Sequence, residues 1–415
     1  MKISISSCKF IIVIVTCIFA IRTAHAQSDS VSVQQITADT SKQKLNMDAV
    51  YNRPFLTPGK LPVAIGGYLE ANTHYASTDG VSDGLSFQMR RMTLFLSSTI
   101  AQKIKFFSEI EFEDGTKHIN IETALIDVEF HPMLNLRGGI IMNPIGAFNQ
   151  NHDGPRWDFI DRPISATTII PATLSNVGVG LHGKYFVNSW TLGYESYITN
   201  GFDDNIISNS ENRTSLAAGK SNADKFEKSN SGLPMFTGKF AVRNRKFGEI
   251  GISYMSGVYN HYQEDGIVLD EKRIASVLAV DFTTSLLENG LTITGELAKV
   301  FVDVPDTYSQ LFAKEQVGGY IDVVGTIFQG AVFDWENSKC NLALRLEYAD
   351  YNQGTFNETG GNIEDYIWAI VPGITFRPTG TTVVRFNYRY EQQIDFLGNP
   401  ASHTGAIQFG FSSYF

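Results

Sequence analysis

Cysteine is scarce in this chain: Cys8, Cys17 and Cys340 are the three among 415 residues. With an N-terminal leader set aside only Cys340 remains, and one thiol cannot staple a fold internally. Long apolar runs are equally scarce. The stretch Phe10–Ile21 is one, and it falls short of the roughly 20 residues a membrane helix needs. Nothing later resembles such a helix. Positive charge is not in excess: the formal net charge is −10, which argues against a nucleic-acid binder. Marks of covalent catalysis are sparse too. There is no G-x-S-x-G, and the histidines (His74, His118, His131, His152, His182, His261 and His403) fall mostly in loops or near strand ends. His152 beside Asp153 is the one pair that suggests a base with an orienting partner.

The start of the chain does carry a signal. Lys2 and Lys9 precede the apolar run, and Ala24-His25-Ala26 follows it, the pattern of a cleaved secretory leader covering residues 1–26. Cys17 could instead be a lipoprotein cysteine, but Thr16 and Ile18 are poor neighbours for that. Residues 27–65 are polar, with Pro54, Pro58 and Pro62. They read as a flexible tether, too short and too polar for a folded plug.

From residue 66 to Phe415 the period becomes two. Val384, Phe386, Tyr388 and Tyr390 alternate with Arg385, Asn387 and Arg389. Leu342, Leu344, Leu346 and Tyr348 alternate with Ala343, Arg345 and Glu347. Ile104, Phe106, Ile110 and Phe112 oppose Lys103, Lys105, Glu109, Glu111 and Glu113. Such alternation also marks a soluble sandwich. The runs here, however, reach about 10 residues, enough for a tilted strand to cross a bilayer. Mean hydropathy is −0.08 although 43% of residues are hydrophobic, as expected when each strand has one apolar and one polar face.

Connections alternate in length. Short turns are expected near Ala101, His131-Pro132, Asn188-Ser189, Asn244-Arg245, Glu288-Asn289, Asn337-Ser338 and Pro378-Thr379. Between them lie longer polar segments, with 143–176 and 200–234 the longest. Short inner turns and longer outer loops belong to an all-β, antiparallel up-and-down transmembrane barrel, and the count gives about 16 strands. Ile407, Phe409, Phe411 and Phe415 share a parity at the end of the chain. A final aromatic-ended strand suits both the interfacial girdle and recognition by the barrel-assembly machinery; a hydrophobic edge strand is the alternative. The location so implied is the bacterial outer membrane, with lipid around the barrel.

Three segments resemble the phosphate-selective porin O and P family, especially its Bacteroidetes-like members. They are Leu136-Arg137-Gly138-Gly139-Ile140-Ile141-Met142-Asn143-Pro144-Ile145-Gly146 continuing to Pro171, Phe87-Gln88-Met89-Arg90-Arg91-Met92-Thr93-Leu94, and the terminal Phe-Gly-Phe-Ser-Ser-Tyr-Phe. The resemblance runs from about Gly66 to Phe415. It implies a sixteen-stranded barrel, a homotrimer, and passive diffusion of small hydrophilic solutes with anions such as phosphate among them.

In such a barrel the chemistry is a constriction, where charge and diameter select solutes. The segment 143–176 carries Asp153, Arg156, Asp158, Asp161 and Arg162 together with Ile164, Ile169 and Ile170. That apolar content favours folding into the lumen over packing on the rim or on a neighbour. By parity Arg345, Arg385, Arg389, Glu109, Glu111 and Glu113 line the lumen. The three arginines either form part of an anion ladder or pair with those glutamates across it. Arg90 and Arg91 are adjacent, so one is expected inside and one outside. No catalytic residue, metal ligand or cofactor is assigned, since the acidic residues of 200–234 lack a tight calcium-loop pattern. A non-conducting structural or adhesive barrel is the alternative reading, and an outer-membrane hydrolase a third.

Overall fold

Sixteen strands close on themselves in a computed structural model that describes residues 45–51, 53, 63–220, 223–286 and 290–415. The leader 1–26, most of the 27–65 tether and the turn at Glu288-Asn289 lie outside the described residues. The strands are β1 (Ala64–Thr78), β2 (Val81–Ala101), β3 (Ile104–Glu113), β4 (His118–His131), β5 (Leu134–Met142) and β6 (Ser175–Val187). They continue as β7 (Trp190–Asn200), β8 (Pro234–Asn244), β9 (Gly248–Val258), β10 (Ile274–Leu286) and β11 (Leu291–Val302). The last five are β12 (Glu315–Val332), β13 (Trp335–Asp350), β14 (Tyr366–Thr379), β15 (Thr382–Ile394) and β16 (Ser402–Tyr414). Each pairs antiparallel with its sequence neighbours, and β1 closes on β16 with Tyr68 opposite Tyr414. Closure extends to the last residue: the Phe415 amide donates to the Gly67 carbonyl at 3.0 Å, and the Gly67 amide donates back at 3.2 Å. An apolar-coated sheet leaves no edge for water to satisfy, so this closure completes the ladder.

Alternation sorts the side chains as the sequence implies. On β13, Leu342 and Leu346 are 53% and 46% exposed on the outer face, whereas Arg345 between them is 1% exposed and faces in. Phe386, Tyr388, Ile407, Phe409 and Phe411 continue the outer apolar face. Two- and three-residue turns make up one rim among the described residues, and the long connections lie at the other, together with the two-residue turn Asp79-Gly80 between β1 and β2.

Two local expectations are corrected. The turn expected at Asn337-Ser338 lies at Phe333-Asp334, with Phe333 in the left-handed region at φ 51°. Ser338 instead stays inside β13, buried, its hydroxyl donating to Trp335 O at 3.1 Å and to Pro378 O at 3.4 Å, so its polarity is satisfied within the sheet. Arg90 and Arg91 do not point to opposite sides of the wall. Glu70 pairs with Arg91 and the next residue, Ala71, pairs with Met89, leaving Arg90 as the extra residue of a β-bulge. A bulge re-aims the side chain it inserts. Arg90 therefore reaches Asp161 inside at 2.6 Å, while Arg91 reaches Glu70 at 3.0 Å.

Candidate pore and its lining

The interior is not a uniform polar channel. Toward the long-loop rim, the inward positions of β8–β14 are mostly small or apolar, including Ala275, Val277, Ala279, Ala298, Val300 and Val302, while Lys239, Asp281, Glu296, Asp322 and Arg345 lie further down the same strands. The two long loops, 143–174 and 201–233, lay Ile145, Ile164, Ile169, Ile170, Ile206 and Leu216 against this wall. The result is a dry hydrophobic core within the barrel. Apolar side chains removed from water contribute about 25 cal/mol per Å² of buried area, which holds the loops inside. Sequence reasoning missed this core, although a signal existed: Ile274–Val280 and Leu297–Val302 are apolar on both parities, as strands covered on both faces are.

Polar anchors pin loop 143–174 across the lumen. Near its start, Ala147 and Phe148 donate their amides to Glu296 Oε2 (2.6 and 3.1 Å) and Lys239 Nζ donates to Gly146 O at 2.7 Å. Further along, Ile160 N donates to Asn387 Oδ1 at 2.9 Å and Ile164 N to Glu347 Oε1 at 3.1 Å. Arg345 donates to Asp161 O at 2.8 Å, and Arg385 to Phe159 O at 2.7 Å.

All three arginines of the expected ladder face inward, and each is already paired. Arg345 grips Asp322 through two bonds (2.6 and 2.8 Å), Arg385 binds Glu70 at 2.9 Å, and Arg389 binds Glu347 at 2.8 Å and Glu391 at 2.7 Å. Their carboxylates are thus not Glu109, Glu111 and Glu113. Glu111 and Glu113 flank Arg91 at 3.8 and 3.2 Å. Glu109 binds Arg53 at 2.8 Å.

Arg53 belongs to the segment expected to be a loose tether. Its described part is a 3₁₀ turn, Asn46–Tyr51, and Leu45, Met47, Val50 and Arg53 are buried. Composition gave no sign of this, because a mostly polar stretch carries no periodicity. The Arg53 guanidinium binds Asp153 (2.7 and 2.9 Å) as well as Glu109, and stacks 3.9 Å from the centroid of the Phe95 ring. Asp153 also accepts from the Tyr414 hydroxyl at 2.6 Å. Burial opposes its charge, but Arg53 holds the Asp153 carboxyl well below the usual range.

The other loop residues singled out from sequence are placed as follows. Arg156 donates to Tyr414 Oη and Ala49 O, both at 3.0 Å. Asp158 accepts from Thr375 at 2.7 Å and Asn341 at 3.1 Å. Asp161 takes Arg90 and Gln408. Arg162 comes within 3.7 Å of Glu111, and among the described residues its buried Nε and Nη2 find no hydrogen-bond acceptor. His152 makes no hydrogen bond to Asp153, whose Oδ1 lies 3.9 Å from its Nε2. Its Nε2 lies 3.1 Å from Glu122 and 3.4 Å from Glu109, and its Nδ1 meets Asn149 O at 2.8 Å. Burial works against its charge, yet Glu109 and Glu122 outweigh it and raise its pKa to about 10. Glu109, His152 and Asp153 are close enough together to suggest a metal, but Arg53 already bridges the two carboxylates.

Open space remains at both rims. At the long-loop rim a cavity of about 400 Å³ is lined by Arg90, Arg91, Arg162, Lys220 and Arg389, against the carboxylates of Glu113 and Asp161. Burial lowers the pKa of Lys220, Glu122 opposes that, and nearby Arg162 adds to it. At the short-turn rim two cavities of about 330 Å³ each flank the 3₁₀ turn. One is lined by Asn46, Trp157, Thr283, Thr294 and Arg377, the other by Asp48, Tyr51, Arg137, His182 and Glu195.

No family model matches the chain. An uncharacterized protein of Aquifex aeolicus is 30% identical over 215 residues, covering 50% of this chain and 46% of that protein, so the chain spans about half the length of that curated relative. Among solved structures, the anion-selective porin from Comamonas acidovorans superposes with a TM-score of 0.52 at 10% identity, over 85% of this chain and 99% of that one. The outer membrane channel DcaP of Acinetobacter baumannii gives 0.52 at 12% identity, over 86% and 99%. Salmonella typhi OmpF in complex with daunomycin gives 0.51 at 12%, over 85% and 97%. At these identities the likeness is one of fold.

Proposed function

We propose that this chain is an outer-membrane porin through which small hydrophilic solutes diffuse, with a preference for anions. One observation carries the anion preference: the cavity at the long-loop rim, where five cationic side chains face two carboxylates. Charges lining a narrow, poorly screened opening raise the local concentration of the opposite ion. The unaccepted Nε and Nη2 of Arg162 add donors there. Arg345 and Arg385 contribute less to selectivity on this reading, because neither lines this cavity and both anchor the loop. The leader at 1–26, sorting to the outer membrane, assembly through the strand that ends at Phe415, and a homotrimer all belong to the same proposal. Lipid then meets the apolar outer face, and phosphate is one candidate solute.

The test is single-channel conductance of refolded protein in a planar bilayer, with the reversal potential read in a salt gradient. Anion-biased steps that lose their bias in Arg90→Gln/Arg162→Gln support the reading. A cation bias in the parent refutes the anion preference and leaves the porin. A second reading, a non-conducting structural barrel, is favoured by the filled centre of the lumen; absence of steps from folded protein would select it.

A further inference from the structure

Toward the long-loop rim the hydrophobic core of the loops closes the β8–β14 side of the lumen, so a path from that rim follows the opposite side, along β1–β6 and β15–β16. Its two ends are open: the basic cavity at one rim and the cavity around Asp48, Tyr51 and Arg137 at the other. Between them stands Arg53, its side chain fully buried.

We propose that Leu45–Arg53 is a removable stopper of this path, with Arg53 as its latch, a reading that rests on the porin assignment. The barrel is already closed by β1 and β16, so the segment can leave without breaking a strand pair. Among the described residues its backbone makes no ladder with the wall. The Asn46 amide donates to the Glu249 carboxylate at 3.0 and 3.1 Å, and Ala49 O accepts from Arg156 at 3.0 Å. Asp48 forms an ion pair with Lys184, and the Asn46 side chain donates to Thr283 at 3.0 Å. Each of these contacts has a side chain on at least one side, and none is a backbone–backbone bond. Apolar contacts seal the turn: Leu45 and Met47 against Ala241, and Val50 and Tyr51 against Phe107, Leu125 and Met142, with the Arg137 guanidinium 3.7 Å from the Tyr51 ring centroid.

The latch is also built to open without a collapse of charge. When Arg53 leaves, Glu109 and Asp153 would stand as uncompensated buried carboxylates, which is costly. His152 already lies 3.4 Å from Glu109, and the Tyr414 hydroxyl and Arg156 (3.5 Å) already contact Asp153. Each carboxylate therefore keeps a partner. Arg53 itself has a buried Nη1 with no acceptor among the described residues, so the closed state leaves one of its donors unmet.

The experiment compares four chains in planar bilayers: the parent, Arg53→Lys, Arg53→Ala, and a chain lacking residues 45–53. Each is first shown to be folded by its heat-modifiable migration. Removal of the segment is expected to raise unitary conductance several-fold, with Arg53→Ala opening more often than Arg53→Lys. Equal conductance in the parent and the shortened chain overturns the stopper while leaving the porin intact. If no chain conducts, the porin assignment fails, and a thiol readout decides the stopper separately. Val50→Cys in a Cys340→Ser background is exposed to a charged maleimide, with and without Arg53→Ala. Faster modification with Arg53→Ala supports release of the segment; equal, slow modification of both overturns it.

Discussion

Replacing Arg385 by methionine tests the claim that buried ion pairs, not surface ones, hold this lumen together. Arg385 and Glu70 are 1% and 2% exposed at the side chain and 2.9 Å apart, and Arg385 also donates to Phe159 O at 2.7 Å. Breaking a buried pair costs about 3–5 kcal/mol, because a charge is left without its counter-charge. Here Glu70 keeps Arg91 at 3.0 Å, which puts the expected loss near the lower end. Methionine fills most of the vacated volume, so the cavity term stays small. A loss of about 3 kcal/mol corresponds to roughly a hundredfold change in the folding equilibrium. The control is Lys105→Ala. Lys105 and Glu129 are closer, at 2.6 Å, but 42% and 44% exposed. Exposed pairs contribute about 0.2–1 kcal/mol. Urea titration of refolded protein, followed by tryptophan fluorescence, measures both. Proteolysis adds a local readout: loss of Arg385 should speed cleavage within residues 154–162. If Lys105→Ala costs as much as Arg385→Met, distance rather than burial sets the strength of these pairs, and the reasoning fails.

Two further outcomes follow from single positions. His152 has a folded pKa of about 10, above its ordinary value of about 6.5, so its contribution is fully present below pH 6.5 and is lost as pH rises through 10. The stability gap between the parent and His152→Gln should therefore shrink between pH 6 and pH 10.5; a constant gap would show that the imidazolium is not what stabilises. At Gly139, φ is +126° and an added Cβ would sit 2.3 Å from Ala124 O, whereas at Gly138 the nearest atom is 3.7 Å away. Gly139→Ala should cost on the order of 2 kcal/mol or more, and Gly138→Ala within about 1 kcal/mol, both read as urea midpoints.

The sequence by itself determined the wall. Side-chain alternation and run length are properties of consecutive residues, so the barrel, its sixteen strands and the inward course of Arg345, Arg385 and Arg389 were legible along the chain. Even the loop 143–176 announced its inward fold through Ile164, Ile169 and Ile170, since apolar side chains need cover wherever they fall. What the charges do was not legible. Arg385 meets Glu70 across 315 positions and Arg53 meets Asp153 across 100, pairings set by barrel closure and loop insertion rather than by spacing. Arg90 turned inward because one residue too many sits opposite Glu70; its trace in the sequence is a change of parity, from Leu85, Phe87 and Met89 to Met92, Leu94 and Leu96, which became readable as a bulge only with the paired strand in place. Leu45–Arg53 passes for a tether in the chain because its burial comes from surfaces contributed by distant strands and by the inserted loop 143–174. Only the assembled barrel supplied those surfaces, and with them the apolar core that the two long loops build against one part of the wall.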